Sequence, residues 1–182
     1  MTKFYTGKGD RGKTNINGIL IKKDNKVFEI LGYLDEFNSF LGLGKTYIRS
    51  RKIKEIIFQV QQEIFILQAQ VYFDMILKQK SNLPSLLQAR LNWQELIDKI
   101  STKIKNPRGF IVPGTNKESA WLHLLRAKTR SLERILVKFY KGKNKKDILA
   151  YINRLSSLFY VLALKASKEY QKVNYQIKKV KI

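Results

Sequence analysis

The chain has 182 residues, 44% of them hydrophobic, which is enough for one compact domain with a sizeable core. It contains no cysteine and one histidine, His123, which excludes disulfides, thiolate nucleophiles and metal sites built from cysteine or several histidines. Thirty-six Lys and Arg residues against fourteen Asp and Glu residues give a formal net charge of +22, which favours polyanionic partners such as nucleic acid or nucleotides. The excess is mostly lysine and is spread along the chain, so biased amino-acid usage explains it equally well.

The sequence also carries no signal for membrane insertion or secretion. No stretch approaches the roughly 18 uncharged apolar residues that a membrane-spanning helix requires. The N-terminus, MTKFYTGKGD, has no apolar signal-peptide core. We therefore expect a cytosolic protein without a membrane partner.

Residues 1–25 are rich in Gly, Lys, Asp and Asn and predict an ordered loop or a disordered arm, with TKFY and GILI as the only extended pieces. Within this arm, GKGDRGKT matches the phosphate-loop pattern of nucleotide hydrolases. That mechanism needs a buried strand before the loop and a helix directly after it, whereas NINGIL follows here, so we disfavour a P-loop. An anion can still bind, because the glycines let the backbone approach it and neighbouring side chains supply charge and hydroxyl groups. The residues concerned are Thr6, Gly7, Lys8, Gly9, Arg11, Gly12, Lys13 and Thr14.

From about residue 26 onward, apolar residues recur every three or four positions, which is typical of amphipathic helices. The predicted helices span 26–48, 53–77, 83–104, 118–140 and 146–170, and the last three breaks are marked by Pro, Gly or Asn. Long helices with short connections predict a single all-α domain over 1–182, with a five-helix antiparallel bundle over 26–170. The basic tail, 171–182, either frays or folds over a site.

Two carboxylates interrupt the first predicted helix in the motif LDEF. Asp35 is a candidate to pair with an arginine of another helix or subunit. Glu36 is a candidate to hold Mg²⁺ through water, since this ion prefers oxygen ligands and usually keeps several waters. Either residue is equally compatible with an acidic surface position on an amphipathic helix.

Three arginines stand four residues apart in the fourth predicted helix. Arg126, Arg130 and Arg134 follow one stripe that borders the core-facing side, with Glu133 inside it. Guanidinium groups near a core are costly unless a carboxylate or phosphate pairs with them, and arginine makes bidentate phosphate contacts that lysine cannot. The stripe therefore favours a polyphosphate site, with a solvated face and an ordinary Arg130–Glu133 pair as the alternative. We expect His123, one turn earlier, to be packed and hydrogen-bonded rather than catalytic.

Taken in order, YTGKGDRGKT, KKDNKVFEILGYLDEFNSFLG, FIVPG, LHLLRAKTRSLER and YINRLSS resemble the PduO-type ATP:corrinoid adenosyltransferases. The resemblance covers nearly the whole chain except about 70–107. It implies a homotrimeric five-helix bundle with active sites between subunits and with an N-terminal loop that binds the phosphates of ATP. It also implies that a cobalt(I) corrinoid, kept reduced by a separate reductase, attacks the ribose 5′ carbon of ATP and releases triphosphate. Mg²⁺ and arginines would stabilise that leaving group.

The resemblance also assigns roles to individual residues. The ATP-binding positions it implies are Thr6, Gly7, Lys8, Gly9, Thr14, Asn15, Lys23, Arg130, Glu133, Arg134 and Asn153. Asp35 and Arg126 match a pair that joins neighbouring subunits near the corrinoid, and Phe110 matches the aromatic residue that displaces the lower axial ligand of cobalt. Together with Arg130, these three residues form the implied catalytic and corrinoid-binding set.

This sequence departs from the family pattern at several positions, including Thr115, Ser131, Ser157 and a missing glycine in the second helix. These departures leave the rate and the corrinoid affinity open. A family member that binds ATP or corrinoid without turnover is one alternative. A basic helical bundle that binds nucleic acid is the other, and it is supported by net charge alone.

Overall fold

The computed structural model describes residues 4–176 apart from 6, 8, 17, 80, 81, 143, 144 and 168. Its first element is an antiparallel hairpin of β1 (Lys13–Ile16) and β2 (Ile19–Lys22). The arm is thus ordered here, and the extended GILI piece is confirmed as most of β2. Of the TKFY piece, Thr2 and Lys3 lie outside the described residues and Phe4 and Tyr5 are not in a strand. A strand rather than a helix follows the glycine-rich loop, so the phosphate-loop architecture is excluded.

Five α-helices follow in the described part of the chain, as the periodicity predicts. They are α1 (Lys26–Tyr47), α2 (Arg51–Tyr72), α3 (Leu86–Ser101), α4 (Lys117–Phe139) and α5 (Lys146–Ala166). A π-helical turn, Phe73–Leu77, extends α2 and ends at Lys78, whose backbone is left-handed. The first four helices begin at side chains that accept a hydrogen bond from the first turn's N–H groups, which satisfies otherwise orphaned donors. These capping residues are Asn25, Ser50, Ser85 and Asn116.

Three predicted boundaries are wrong by three residues or more, and one of them is the end of the third helix, which lies at Ser101 rather than at 104. The third helix begins at Leu86 rather than at 83, because Ser85 adopts an extended backbone and caps the helix with its hydroxyl. The fifth helix ends at Ala166 rather than at 170, because Ser167 is extended, with φ −86° and ψ 117°. The residues beyond Ser167 leave the bundle to form a strand.

Side-chain pairs along the helices show that neighbours run in opposite directions. On α1 and α4, Tyr47 stacks on Trp121 with ring centroids 4.9 Å apart, whereas the earlier Glu36 pairs with the later Lys128 at 2.7 Å. On α4 and α5, contacts from Glu133 to Asn153 and from His123 to Tyr160 show the same reversal. The bundle is therefore antiparallel.

The last helix, α5, lies at the centre of the bundle and packs against α3 and α4. By length and composition alone it could span a membrane, yet 61% of its apolar window is buried inside the bundle, as in any core helix. Burial of this face against the other helices supplies most of the stabilisation that a helical bundle needs.

A buried carboxylate ties three helices together inside the core. Glu63 on α2 is 6% exposed and accepts hydrogen bonds from Trp93 Nε1 on α3 and from the Tyr151 hydroxyl on α5, both at 2.7 Å. Gln59 Nε2 donates a third bond at 3.1 Å. Burial raises the pKa of Glu63 although these donors oppose the shift. Burial and the adjacent carboxylate also raise the pKa of Tyr151 well above its usual value.

A second, two-stranded sheet joins the segment before α4 to the C-terminal tail. Strand β3 (Ile111–Val112) pairs antiparallel with β4 (Gln171–Lys172). Beyond the pairing, the Val173 N–H donates to the Phe110 carbonyl at 3.0 Å. The start of the tail is thus paired with the segment before α4 and is not frayed. Residues 177–182 of the tail lie outside the described residues.

Candidate functional site

A cleft of 590 Å³ opens between α4, α5 and the segment that leads into β3. Four of the residues predicted to bind ATP or the corrinoid line it: Phe110, Arg126, Arg130 and Asn153. The remaining lining residues are Gly109, Ile111, Pro113, His123, Ser156, Ser157, Tyr160 and Val161. The cleft therefore joins apolar walls to cationic and amide groups from two helices, as a ligand site with a charged substrate requires.

Glu133 holds two of the cleft's polar residues in place. Its carboxylate forms an ion pair with Arg130 one turn away on α4 and accepts a hydrogen bond from Asn153 Nδ2 on α5 at 2.8 Å. The intrahelical pair expected from the sequence is therefore present, and it lies at the cleft rather than on a remote solvated face. Because the Glu133 carboxylate restrains both Arg130 and Asn153, these two donors are oriented before a ligand anion binds.

Arg126 and Arg134 differ from Arg130 in their surroundings. Arg126 lines the cleft and is half-buried, and its Nε atom is buried without a hydrogen-bond partner among the described residues. Arg134 is exposed, does not line the cleft, and donates from Nη2 to Ser131 Oγ at 3.1 Å. The stripe thus places two of its three guanidinium groups at the cleft, and Ser131 engages the third.

His123 is buried, at 6% exposed, and its ring meets Tyr160 edge-on with centroids 6.2 Å apart. Its Nδ1 has no hydrogen-bond partner among the described residues, so the expected packing is confirmed but the expected hydrogen bond at this atom is not made. Burial and the positive charge of Arg126 lower the pKa of His123 below 6.5. The imidazole is therefore neutral at pH 7 and forms part of the cleft wall.

Phe110 stands at the mouth of the cleft with 78% of its side chain exposed. It contributes nothing to the core, so its apolar surface is available to a bound molecule. Its backbone is held by the Val173 N–H, and the next residue, Ile111, pairs with Lys172 in the sheet. The tail therefore fixes the segment from which this aromatic ring projects.

The N-terminal loop is ordered through its backbone and lies apart from the cleft. Gly7 and Gly12 have φ of 67° and 70°, in the left-handed region that glycine adopts without strain. The Lys23 N–H donates to the Gly12 carbonyl at 2.9 Å, and its amine lies over Gly9, where an added Cβ would stand 2.8 Å from Nζ. Among the described parts of the chain, no hairpin residue lines the cleft, and the hairpin packs mainly on itself.

The other predicted nucleotide-binding residues of the arm are Thr6, Lys8, Thr14 and Asn15, and the structure describes only the last two. Thr6 and Lys8 lie outside the described residues. Thr14 is half-buried in β1, and the side-chain oxygen Oδ1 of Asn15 accepts a hydrogen bond from the Gly18 N–H at 2.9 Å across the hairpin turn. The side chains of Thr14 and Asn15 have the donors that phosphate needs, but within one protomer they do not line the arginine stripe's cleft.

The adjacent acids Asp35 and Glu36 of α1 have different surroundings. Asp35 is exposed and makes no hydrogen bond or ion pair with any described residue, and it does not line the cleft beside Arg126. Glu36 pairs with Lys128, whose amine also lies 4.2 Å from the centre of the Phe40 ring. No group of three or more His, Asp or Glu side chains within the described ranges is arranged to hold a metal ion.

Sequence reasoning missed several residues of the cleft wall. Ser156 and Tyr160 lie three and seven residues after Asn153, the spacing that places side chains on one helical face. That spacing can be seen in the sequence, so these two residues could have been predicted. The positions of Gly109 and Pro113 could not have been predicted, because they depend on how the loop before α4 folds back across α5.

Comparisons with known proteins identify the family to which the chain belongs. Residues 4–166 match the family described as Cobalamin adenosyltransferase, a range that includes the hairpin and all five helices. The chain is 33% identical over 169 residues to a corrinoid adenosyltransferase of Citrobacter freundii, covering 90% of this chain and 94% of that protein. It is 29% identical over 167 residues to the corrinoid adenosyltransferase of Bacillus subtilis, with coverage of 88% and 84%.

A solved structure shows the same likeness in three dimensions. A variant PduO-type ATP:corrinoid adenosyltransferase from Lactobacillus reuteri, complexed with cobalamin and ATP, superposes with a TM-score of 0.84. Its sequence is 27% identical, and the alignment covers 94% of this chain and 99% of that one. The chain therefore belongs to the cobalamin adenosyltransferase family.

Proposed function

We propose that the protein transfers the 5′-deoxyadenosyl group of ATP to the cobalt of a reduced corrinoid. The observation that carries this proposal is the arrangement of Arg130, Glu133 and Asn153 at a cleft whose mouth bears the exposed Phe110. A polyphosphate and a large flat apolar ring system need these two kinds of surface side by side. Family membership and likeness to a structure that holds both ligands support the same assignment.

The proposed reaction is a substitution at the ribose 5′ carbon. The cobalt(I) electron pair forms the cobalt–carbon bond while the bond from carbon to the triphosphate oxygen breaks, and the second electron pair leaves with triphosphate. Negative charge on the leaving group favours guanidinium groups that are positioned before the reaction. Arg130 fits this role because Glu133 restrains it. No protein nucleophile or base is required, which agrees with a neutral, buried His123.

In this proposal the active site lies between protomers of a cytosolic homotrimer. The hairpin packs mainly on itself and does not line its own protomer's cleft, so its glycine loop and Lys23 are available to a neighbour. Asp35 is exposed and unpaired among the described residues, and Arg126 has a buried Nε without a partner. Pairing of Asp35 with Arg126 of a neighbouring protomer would satisfy both groups.

Two further features concern the substrates. Phe110 would cover the lower face of the corrinoid and displace the axial ligand, which favours a four-coordinate cobalt(II) that a separate reductase can reduce. Mg²⁺ would arrive on the phosphate oxygens of ATP, because the described residues offer no acidic cluster and Glu36 is already paired with Lys128. The chain's own contribution is to bind, orient and exclude water.

The proposal is tested by incubating the protein with ATP, Mg²⁺ and chemically reduced cobalamin without oxygen, and following the spectrum of adenosylcobalamin. We expect conversion by wild type and a loss of about 10²-fold or more in kcat/KM for Arg130→Ala. Arg51→Ala is the control, because this exposed arginine pairs only with Glu55 on the surface of α2. Binding of ATP or cobalamin without conversion by wild type would contradict the proposal in favour of a protein without turnover. Salt-sensitive binding of nucleic acid without conversion would favour the remaining alternative.

A further inference from the structure

A second cleft, of 900 Å³, lies beside the segment that carries Phe110. It is lined by Lys105, Asn106, Pro107, Arg108, Glu169, Tyr170 and Lys172. Three of these seven side chains are cationic and one is acidic, so the cleft is positively charged. We call Lys105, Arg108 and Lys172 the basic shelf.

The cations of the basic shelf are free to meet a ligand. All three residues are exposed, and none of their side chains makes a hydrogen bond or ion pair with any residue that the structure describes. The carboxylate of Glu169, at the same cleft, has no such partner either, so one acid stands against three bases. The three bases and one acid give a net charge of +2, and an anion with a single charge would halve it, which reduces the repulsion between the like charges that line the cleft.

Arg108 is fixed in an unusual backbone conformation. Its φ is 49°, in the left-handed region that non-glycine residues rarely adopt. Its N–H donates to Asn106 Oδ1 at 3.0 Å, and the intervening Pro107 is buried. The turn therefore holds the arginine at a defined place. An arginine fixed in this way can offer a paired set of donors to a phosphate.

The basic shelf is joined directly to Phe110. Arg108 precedes the aromatic residue by two positions, and Lys172 lies opposite Ile111 in the β3–β4 pair. The Val173 N–H then bonds to the Phe110 carbonyl at 3.0 Å. The ring that borders the first cleft and the cations that border the second are therefore parts of one backbone unit.

We infer that the basic shelf binds the phosphodiester of the nucleotide arm of a complete corrinoid, so that the protein favours corrinoids that carry this arm. The inference rests on the proposed function, in which Phe110 takes the place of the lower axial ligand. In a complete corrinoid that ligand is the base of the nucleotide arm, which hangs from the lower face through a phosphodiester. Once the base is displaced by Phe110, the arm with its negative charge must lie on the Phe110 side of the corrin ring. Arg108 and Lys172, the cations that the Phe110 backbone unit itself carries, belong to the basic shelf and have no side-chain partner among the described residues.

The test compares three substrates that differ only in this arm: cobalamin, cobinamide phosphate, which keeps the phosphate without the base, and cobinamide, which has neither. KM and kcat are measured for each with wild type and with Arg108→Gln/Lys172→Gln. Glutamine removes both positive charges and, like lysine and arginine, is polar and unbranched at Cβ, so the backbone demands of position 108 change little. The control is Lys52→Gln/Lys99→Gln, which removes the same charge from exposed sites away from both clefts.

We expect the shelf variant to raise KM roughly three- to tenfold for cobalamin and cobinamide phosphate, since each exposed phosphate contact contributes modestly. KM for cobinamide, KM for ATP and kcat should stay within about twofold, and the control should match wild type in every measurement. Equal increases for all three corrinoids, an increase in KM for ATP, or no change with any corrinoid would each overturn the inference. Conversion of cobalamin by wild type separates the two claims. Its absence contradicts the proposed function itself, whereas conversion of cobalamin with an unchanged KM in the shelf variant contradicts only the inference.

Discussion

Glu63 offers a sharp test of how the core is held together, because its carboxylate joins α2, α3 and α5. Glu63→Leu would leave the Trp93 N–H and the Tyr151 hydroxyl buried without an acceptor. Each unsatisfied buried donor costs about 1–3 kcal/mol. The leucine would regain about 1–2 kcal/mol through apolar burial and loss of the carboxylate's desolvation cost. The midpoints of these ranges, about 4 kcal/mol for the two donors and about 1.5 kcal/mol for the gain, give an expected net loss in unfolding free energy of about 2.5 kcal/mol. A loss of this size lowers Tm by about 5–10 °C in a domain of this size.

The assay is urea and thermal unfolding followed by circular dichroism at one fixed protein concentration, since association would make stability depend on concentration. Glu63→Gln keeps one acceptor oxygen and should lose less than Glu63→Leu. Glu55→Gln, which removes only an exposed partner of Arg51, should change stability by less than about 0.5 kcal/mol. A Glu63→Leu protein as stable as wild type would show that the burial cost of the carboxylate cancels its hydrogen bonds, and would refute the reasoning.

The raised pKa of Glu63 also predicts the sign of a pH effect. Below about pH 4.5 the group is protonated in both the folded and the unfolded states. As the pH rises above this value, the unfolded chain loses the proton first, so stability contributed by this group falls until the raised folded pKa is passed. Glu63→Gln should remove that decline. If the unfolding free energy of wild type instead rose relative to that of Glu63→Gln as the pH increased above about 4.5, the raised pKa of Glu63 would be contradicted.

Three smaller changes probe other parts of the structure. Gly9→Ala should raise KM for ATP several-fold, because its Cβ would displace the Lys23 amine that lies 2.8 Å away; an unchanged KM would remove Lys23 from the proposed site. Because the pKa of His123 is lowered in the folded state, the unfolded chain takes up the proton first as the pH falls below about 6.5, and stability is lost. Unfolding titrations of His123→Gln should lack this part of the pH dependence. Glu36→Gln breaks the exposed pair with Lys128 and should cost at most about 1 kcal/mol in unfolding free energy; a larger loss would mean that the pair is not solvent-screened.

The helices could be predicted from the sequence because their signals are local. Apolar spacing, capping residues such as Asn25 and Asn116, and the arginine spacing of α4 are all readable within one segment. For the same reason the sequence indicated that Arg126 and Arg130 belong near a site. Only the helix ends differed, where the backbone of a single residue such as Ser167 decides the boundary.

What the sequence could not show depends on contacts between distant segments. The acceptor role of Glu63 depends on Trp93 and Tyr151, which come from other helices, so its own segment reads as an ordinary polar position. The pairing of Ile111 with Lys172 is equally non-local and involves strands of two residues, too short to leave a periodic signal. That pairing positions the Phe110 segment, so the shape of the cleft became visible only in three dimensions.

The central proposal is that the hairpin of one protomer and the arginine helix of another form one active site, and mixed oligomers test it most directly. Lys23→Ala should impair the contribution of the hairpin, and Arg130→Ala should impair the contribution of the helix. Each variant by itself should have little activity. When the two inactive variants are unfolded together and refolded in equal amounts, about one site in four should combine an intact hairpin with an intact helix, because each half is intact with a chance of one in two. We predict recovery of about a quarter of wild-type adenosylation activity. No recovery, with mixed oligomers shown to have formed, would place both elements on one protomer and contradict the account.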